Sequence, residues 1–195
     1  MNIRDPELSG FDSLDFYNRW GRWPEKGEAL TAVPWEHRAD LAKIRRAPVG
    51  CLYGYVATWH TAALDREIQI APCAFSAWLE RDVDCAVLLD HDSEQLIGRK
   101  SDGALFLAED RRGLYFEYRL PDSSRGDRIK RAFELNRVLG VSFRPIVRQK
   151  DFSAGIETYR RLDLAEISIL TSDRSGASPG AWARFNAGHK GAVYL

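Results

Sequence analysis

The pattern of apolar and polar positions changes character near residue 48. Before it, Trp20, Trp23 and Trp35 stand among charged residues, and Pro6, Pro24 and Pro34 interrupt any long periodic element. Residues 39–46 predict one short helix. Residues 1–47 therefore read as a tryptophan-rich arm that packs on the core or on a partner, since so much tryptophan does not fit a disordered segment.

From residue 48 the pattern turns to strands. Residues 49–59 are aromatic and β-branched, with Gly50 and Gly54 marking a bend or bulge. Residues 67–70 predict a short strand, 74–79 a helical turn or two, and 85–89 a short buried strand that ends at Asp90-His91-Asp92. Residues 104–109 and 114–120 predict a hairpin across 110–113. In its second arm Leu114, Phe116, Tyr118 and Leu120 alternate with Tyr115, Glu117 and Arg119, a half-buried strand periodicity. One helix is well signalled. Ser124-Arg125-Gly126-Asp127 resembles a capping box with aspartate in the glutamate's place, Ile129, Ala132 and Phe133 recur at helical spacing, and Gly140 provides a stop. Strands over 141–148 and 156–171 follow, the second expected to be bent or divided. From Ser172 the chain is rich in Gly, Ser and Ala and predicts a loop or loosely held end. The expected architecture is mainly β with a few helices (α+β), a mostly antiparallel β-barrel or sandwich over 48–172, with 173–195 as tail.

Composition narrows the function classes. The 195 residues are 45% hydrophobic and 29% charged, as in a globular chain with a sizeable core. Lys+Arg and Asp+Glu balance at 28 each, so no global basic field favours nucleic acid or an anionic membrane as primary ligand. Cys51, Cys73 and Cys85 are an odd set without CxxC spacing, which reads as reduced thiols in a cytoplasmic compartment rather than disulfides or zinc. No apolar run is long enough to span a bilayer, and residues 1–6 carry no apolar signal core. The expectation is a protein that works where it is made.

The candidate chemistry centres on Gly140-Val141-Ser142-Phe143. Val141 and Phe143 bracket a small hydroxyl facing the other way, on the side Arg144 shares. His91 closes an apolar strand upstream, and Glu166 lies inside the apolar run 162–170 downstream. Together they hold the parts of a nucleophile–base–orienter system. Each also has an ordinary reading: a small strand serine, a strand-end histidine bonded to a neighbouring aspartate, and an edge-strand glutamate facing water. Ser142 does not stand in the G-x-S-x-G elbow of an α/β-hydrolase. Asp90, His91 and Asp92 alternate in direction, so one metal site would use only part of them. Arg111-Arg112 and residues 123–126 could attract phosphate, but no Walker spacing accompanies them.

A series of short motifs then occurs in order: Gly54-Tyr55-Val56-Ala57, Ile70-Ala71-Pro72-Cys73-Ala74-Phe75, Leu88-Leu89-Asp90-His91-Asp92, Ile97-Gly98-Arg99, Gly113-Leu114-Tyr115-Phe116-Glu117, Val141-Ser142-Phe143 and Glu166-Ile167-Ser168. The series resembles the prohead (capsid maturation) proteases of tailed bacteriophages, which share an assemblin-like fold with herpesvirus proteases, and it covers roughly residues 48–172. Three positions depart from the family pattern: Cys73 replaces a glycine, Arg144-Pro145 replaces Gly-Phe, and 171–174 replaces a proline-containing segment.

The resemblance implies a serine endopeptidase with His91 as general base, Ser142 as nucleophile and Glu166 as third member. It also implies an arginine after the third member's strand, here Arg174, assisting the oxyanion, with Arg144 left to contact substrate. Neither metal nor organic cofactor is expected. The implied substrate is the major capsid protein or a scaffold segment, together with the protease's own ends. The implied setting is an immature capsid in the host cytoplasm, with self-association during assembly. A catalytically silent internal scaffold that keeps the same fold is the first alternative. A small-ligand-binding β-barrel is the second, and it leaves the arm and the order of the triad unexplained.

Overall fold

Nine strands and three short helices account for most of the ordered backbone in the computed structural model, which describes residues 40–44, 47–60, 67–135, 137–138, 140–171 and 180–188. The expected arm therefore lies outside the described residues except at its end. There, α1 (Leu41–Ile44) falls within the short helix predicted for 39–46.

The first sheet is built on β1 (Cys51–Thr58), whose run of apolar and aromatic side chains leaves neither face to water. It pairs antiparallel with β6 (Gly113–Arg119), and β6 pairs antiparallel with β5 (Leu105–Glu109), the predicted hairpin. The expected bulge is present as a shift of register between Tyr55 and Ala57. Gly54 has φ +155°, and a Cβ there would collide with the Trp182 carbonyl. The other side of β1 is covered by β9 (Trp182–Phe185), a strand where the sequence predicted only tail. The sheet order is β5-β6-β1-β9.

The second sheet is organised by β8 (Ile156–Leu170). β7 (Gly140–Ser153) pairs antiparallel with it from end to end. On its other side, β2 (Ile68–Ile70) and β3 (Ala86–Leu89) both pair parallel to it, and β4 (Asp92–Arg99) pairs antiparallel to β3. β8 runs undivided, and of the two expected alternatives it fits the bend: its ladder to β7 shifts register three times, with Ala165 and Arg160 the extra residues on β8 and Arg148 the extra residue on β7. β7 and β8 are joined by the two-residue turn Ala154-Gly155, where φ is +51° and +82°. That left-handed pair suits the natural twist of a tight hairpin and lets the strands run on to Ser153 and Ile156.

The closed barrel is corrected to two separate sheets. β1 bonds only to β6 and β9, and β8 only to β7, β2 and β3, so no hydrogen-bonded ladder joins the sheets among the described residues. Antiparallel pairing still predominates, and the class is mainly β with helices, as expected. Leu52, Val56 and Phe116 of one sheet and Val87, Ile167 and Ile169 of the other share a single core with Trp78 and Phe133.

Two helices cover this core. α2 (Ser76–Leu79) buries Trp78. α3 (Ser124–Glu134) buries Ile129 and Phe133, the predicted apolar stripe. Its cap is Ser123, one residue earlier than the sequence suggested, with Oγ accepting from the Gly126 amide at 3.3 Å. The helix closes at Leu135 rather than running to Gly140.

Candidate active site

Period-two alternation divides β8 into two sets of side chains. Ile167 and Ile169 point into the core, so Glu166 and Ser168 occupy the other face. The ladder carries this division to the neighbours. Ser142 stands opposite Ser168 and Arg144 opposite Glu166 on β7, while Ala86 and Leu88 stand beside Glu166 and Ser168 on β3. A glutamate on an edge strand would meet water. Glu166 instead has a strand on either side and is 6% exposed, and Ser142 is 7% exposed.

His91 reaches this face from the turn after β3. Asp90 and His91 both adopt left-handed backbone, with φ +52° and +58°, which turns the chain sharply back into β4. A clasp holds the turn. The Thr171 amide and hydroxyl donate to the Asp90 carboxylate at 2.6 and 2.8 Å, and the Asp90 amide donates to the Ile169 carbonyl at 3.0 Å. The His91 amide donates to Ser168 Oγ at 3.2 Å.

So placed, His91 Nδ1 hydrogen-bonds to Glu166 Oε1. The same oxygen accepts from Ser168 Oγ at 3.2 Å, and the Arg144 guanidinium lies 3.8 Å from Oε2. An ionised carboxylate only accepts, so Nδ1 is the donor, and in the neutral imidazole Nε2 then keeps the lone pair. The neighbouring aspartates are not the imidazole's partners. Asp90 belongs to Thr171, and Asp92 accepts from the Glu94 amide at 2.9 Å and Gln95 Nε2 at 3.0 Å. The Gln95 bond, with that of the amide, holds the Asp92 carboxyl below its ordinary range.

The structure thus brings His91 and Glu166 into contact and sets Ser142 and Arg144 on the same face of the adjoining strand. Arg144 keeps its side chain 62% exposed, and Pro145 does not carry it away from the glutamate. Arg174 lies outside the described residues. Ser168 went unremarked as a partner in the sequence, although its spacing of two from Glu166 puts it on the same face. The Asp90–Thr171 clasp had no sequence signal, because it joins residues 81 positions apart.

Other polar clusters lie elsewhere. Tyr55 hydroxyl donates to Asp110 and lies 3.1 Å from Asp40 Oδ1, the Leu41 amide donates to Asp110 at 2.8 Å, and Trp59 Nε1 donates to the Asp110 carbonyl at 2.8 Å. Burial raises the Asp110 carboxyl and pushes the Tyr55 phenol far upward, with the Asp110 charge adding to the latter. This group fastens α1 to the first sheet. The Cys85 thiol is pushed up to about 12, mainly by burial and then by Asp84 and Glu166. Among the described residues, no three or more His, Cys, Asp or Glu side chains converge on a metal-binding position. No described helix is long and apolar enough to cross a membrane.

A family model described as caudovirus prohead serine protease matches residues 40–181. A comparison with curated protein sequences gives no match. Among solved structures, the chain is similar to KSHV protease in complex with a hexapeptide phosphonate inhibitor. The identity is 11%, the TM-score 0.42, and the match covers 62% of this chain and 58% of that one.

Proposed function

The chain belongs to the caudovirus prohead serine protease family, and from that premise we propose that it is the serine endopeptidase that cleaves scaffold or capsid-protein segments, and its own ends, within an immature capsid. Ser142 is the nucleophile, His91 the general base and Glu166 the orienting carboxylate. The observation that carries this reading is the contact of His91 Nδ1 with Glu166, on the face of the sheet that also bears Ser142.

Nε2 takes the hydroxyl proton as Ser142 Oγ attacks the scissile carbonyl, and returns it to the leaving amine. Water then repeats the cycle on the acyl-enzyme. Glu166 fixes the tautomer and stabilises the imidazolium while it lasts. Ser168 holds both the His91 amide and Glu166 Oε1, and so positions the pair. Arg144 serves the substrate chain passing over β7. Arg174 assists the oxyanion, through its backbone N–H or a water held by its guanidinium. The protein acts inside the prohead in the host cytoplasm and self-associates during assembly.

A fluorophosphonate probe tests the nucleophile. The folded native protein is expected to be labelled at Ser142, and Ser142→Ala and His91→Ala to lose the label. An unlabelled Ser142 in folded, assembled native protein would favour a silent scaffold and overturn the enzyme.

A further inference from the structure

Between α3 and the ends of β3 and β8 lies a cleft of about 260 Å³, lined by Leu89, Ile129, Ala132, Leu135 and Thr171 together with Arg128, Arg131 and Arg137. We propose that this cleft is a substrate subsite for an acidic side chain, Asp or Glu, a few residues from the scissile bond; the assignment rests on the protease reading above.

Charge and size both favour it. Arg128 donates to Gln95 Oε1 at 3.0 Å, and none of the three arginines forms an ion pair with a described residue. Arg81 and Arg148, by contrast, are both matched by Asp163. Three guanidinium groups around one cleft, in a chain whose charges sum to +0, are a local excess rather than part of a general field. Guanidinium presents paired donors that match a carboxylate, and the apolar floor accepts the methylenes beneath it. Small-ligand pockets run to about 300–1,000 Å³, so this cleft suits a side chain better than a cofactor.

The cleft lies at the strand ends, beside the turn that carries His91. Thr171 on its wall is bonded to Asp90, and His91 is the next residue. Ser168 of β8, opposite Ser142, lies three residues before Thr171, which follows the strand, a span of about 10 Å at roughly 3.3 Å per residue. An extended peptide crosses that distance in about three residues. Arg137 stands in the connection that leads into β7, so wall and nucleophile share one short stretch of chain.

Capture of a randomised octapeptide library on immobilised, folded Ser142→Ala protein tests the subsite without requiring turnover. Bound peptides are expected to be enriched in Asp or Glu at one position by about tenfold, the order of a charge-assisted hydrogen bond. The enrichment should vanish in Arg131→Gln/Arg137→Gln on the same background, whose exposed positions leave the core untouched. No acidic enrichment, enrichment that survives the double substitution, or tighter binding of an oligothymidylate than of acidic peptides would overturn the subsite. Cleavage of the same library by protein with Ser142 intact reads the protease function separately. Acidic capture without cleavage supports acidic-peptide binding at the cleft but sinks the protease reading, and with it the subsite's place beside a scissile bond, whereas cleavage without acidic preference sinks the subsite alone.

Discussion

A carboxylate in the middle of an apolar strand is costly unless its lone pairs are used, and Glu166 uses them on His91, Ser168 and, at longer range, Arg144. The sequence made all three members of the proposed triad visible as residue types, and family resemblance put them in order. Residue pattern alone left a neighbouring aspartate open as the imidazole's partner; the resemblance named Glu166, and the pairing of β3 beside β8 brings that residue to the ring. Glu166→Gln should keep the fold but leave cleavage slow, because an amide does not hold Nδ1 in the required tautomer. The loss expected is about 10⁴ in turnover, by analogy with the same change in a worked triad, measured as the rate of product formation. Turnover equal to native would remove Glu166 from the mechanism. A second outcome follows from the thiols. With Cys85 raised to about 12 and Cys51 also raised, chiefly by burial, neither should react with iodoacetamide in folded protein near neutral pH. Both should label once urea unfolds the chain, as peptide mass mapping would show; fast labelling of folded Cys85 would contradict its place in the core.

At the scale of elements, β1, the β5–β6 hairpin and the start of β7 were legible from their aromatic, β-branched and alternating residues, although β6 is buried on both faces rather than half-buried as expected, with Tyr115 and Glu117 covered too. β4 and β9 were not. β4 reads Asp-Ser-Glu-Gln-Leu-Ile-Gly-Arg, with little apolar periodicity, and is a strand because β3 offers it a ladder. β9 follows a run of small residues and owes its conformation to β1. The barrel failed for a related reason: closure depends on which distant strands bond, and alternation along one strand says nothing of its neighbour. Gly54 is where β9 depends most on one residue. Gly54→Ala puts a Cβ against the Trp182 carbonyl at a left-handed φ, and should cost about 1–3 kcal/mol and loosen β9 from β1. Urea unfolding measures the cost, and hydrogen exchange at residues 182–185 measures the loosening. Unchanged stability and protection would mean that the two strands are not held at this spacing.

Over the whole molecule, two sheets share one core while the proposed catalytic face looks away from it, so the core can be rigid without enclosing the chemistry. The Asp40–Tyr55–Asp110 group ties the first described helix to this body and makes stability depend on pH. Burial raises the Asp110 carboxyl, so it holds its proton to higher pH folded than unfolded. Its contribution is full below the ordinary carboxylate value and is lost as pH rises through the folded value. Stability relative to Asp110→Asn should therefore fall as pH rises above the ordinary carboxylate value of about 4, read from urea midpoints of both proteins; a difference that grows with pH would reverse the assigned shift.

The central claim, that Ser142 and His91 cut a capsid component, is tested most directly by co-expression with the cognate capsid protein followed by intact mass analysis. Native protein should give discrete truncated products, and Ser142→Ala and His91→Ala should give none, since losing either member of such a pair typically costs several orders of magnitude. Unchanged processing by folded Ser142→Ala would contradict the account.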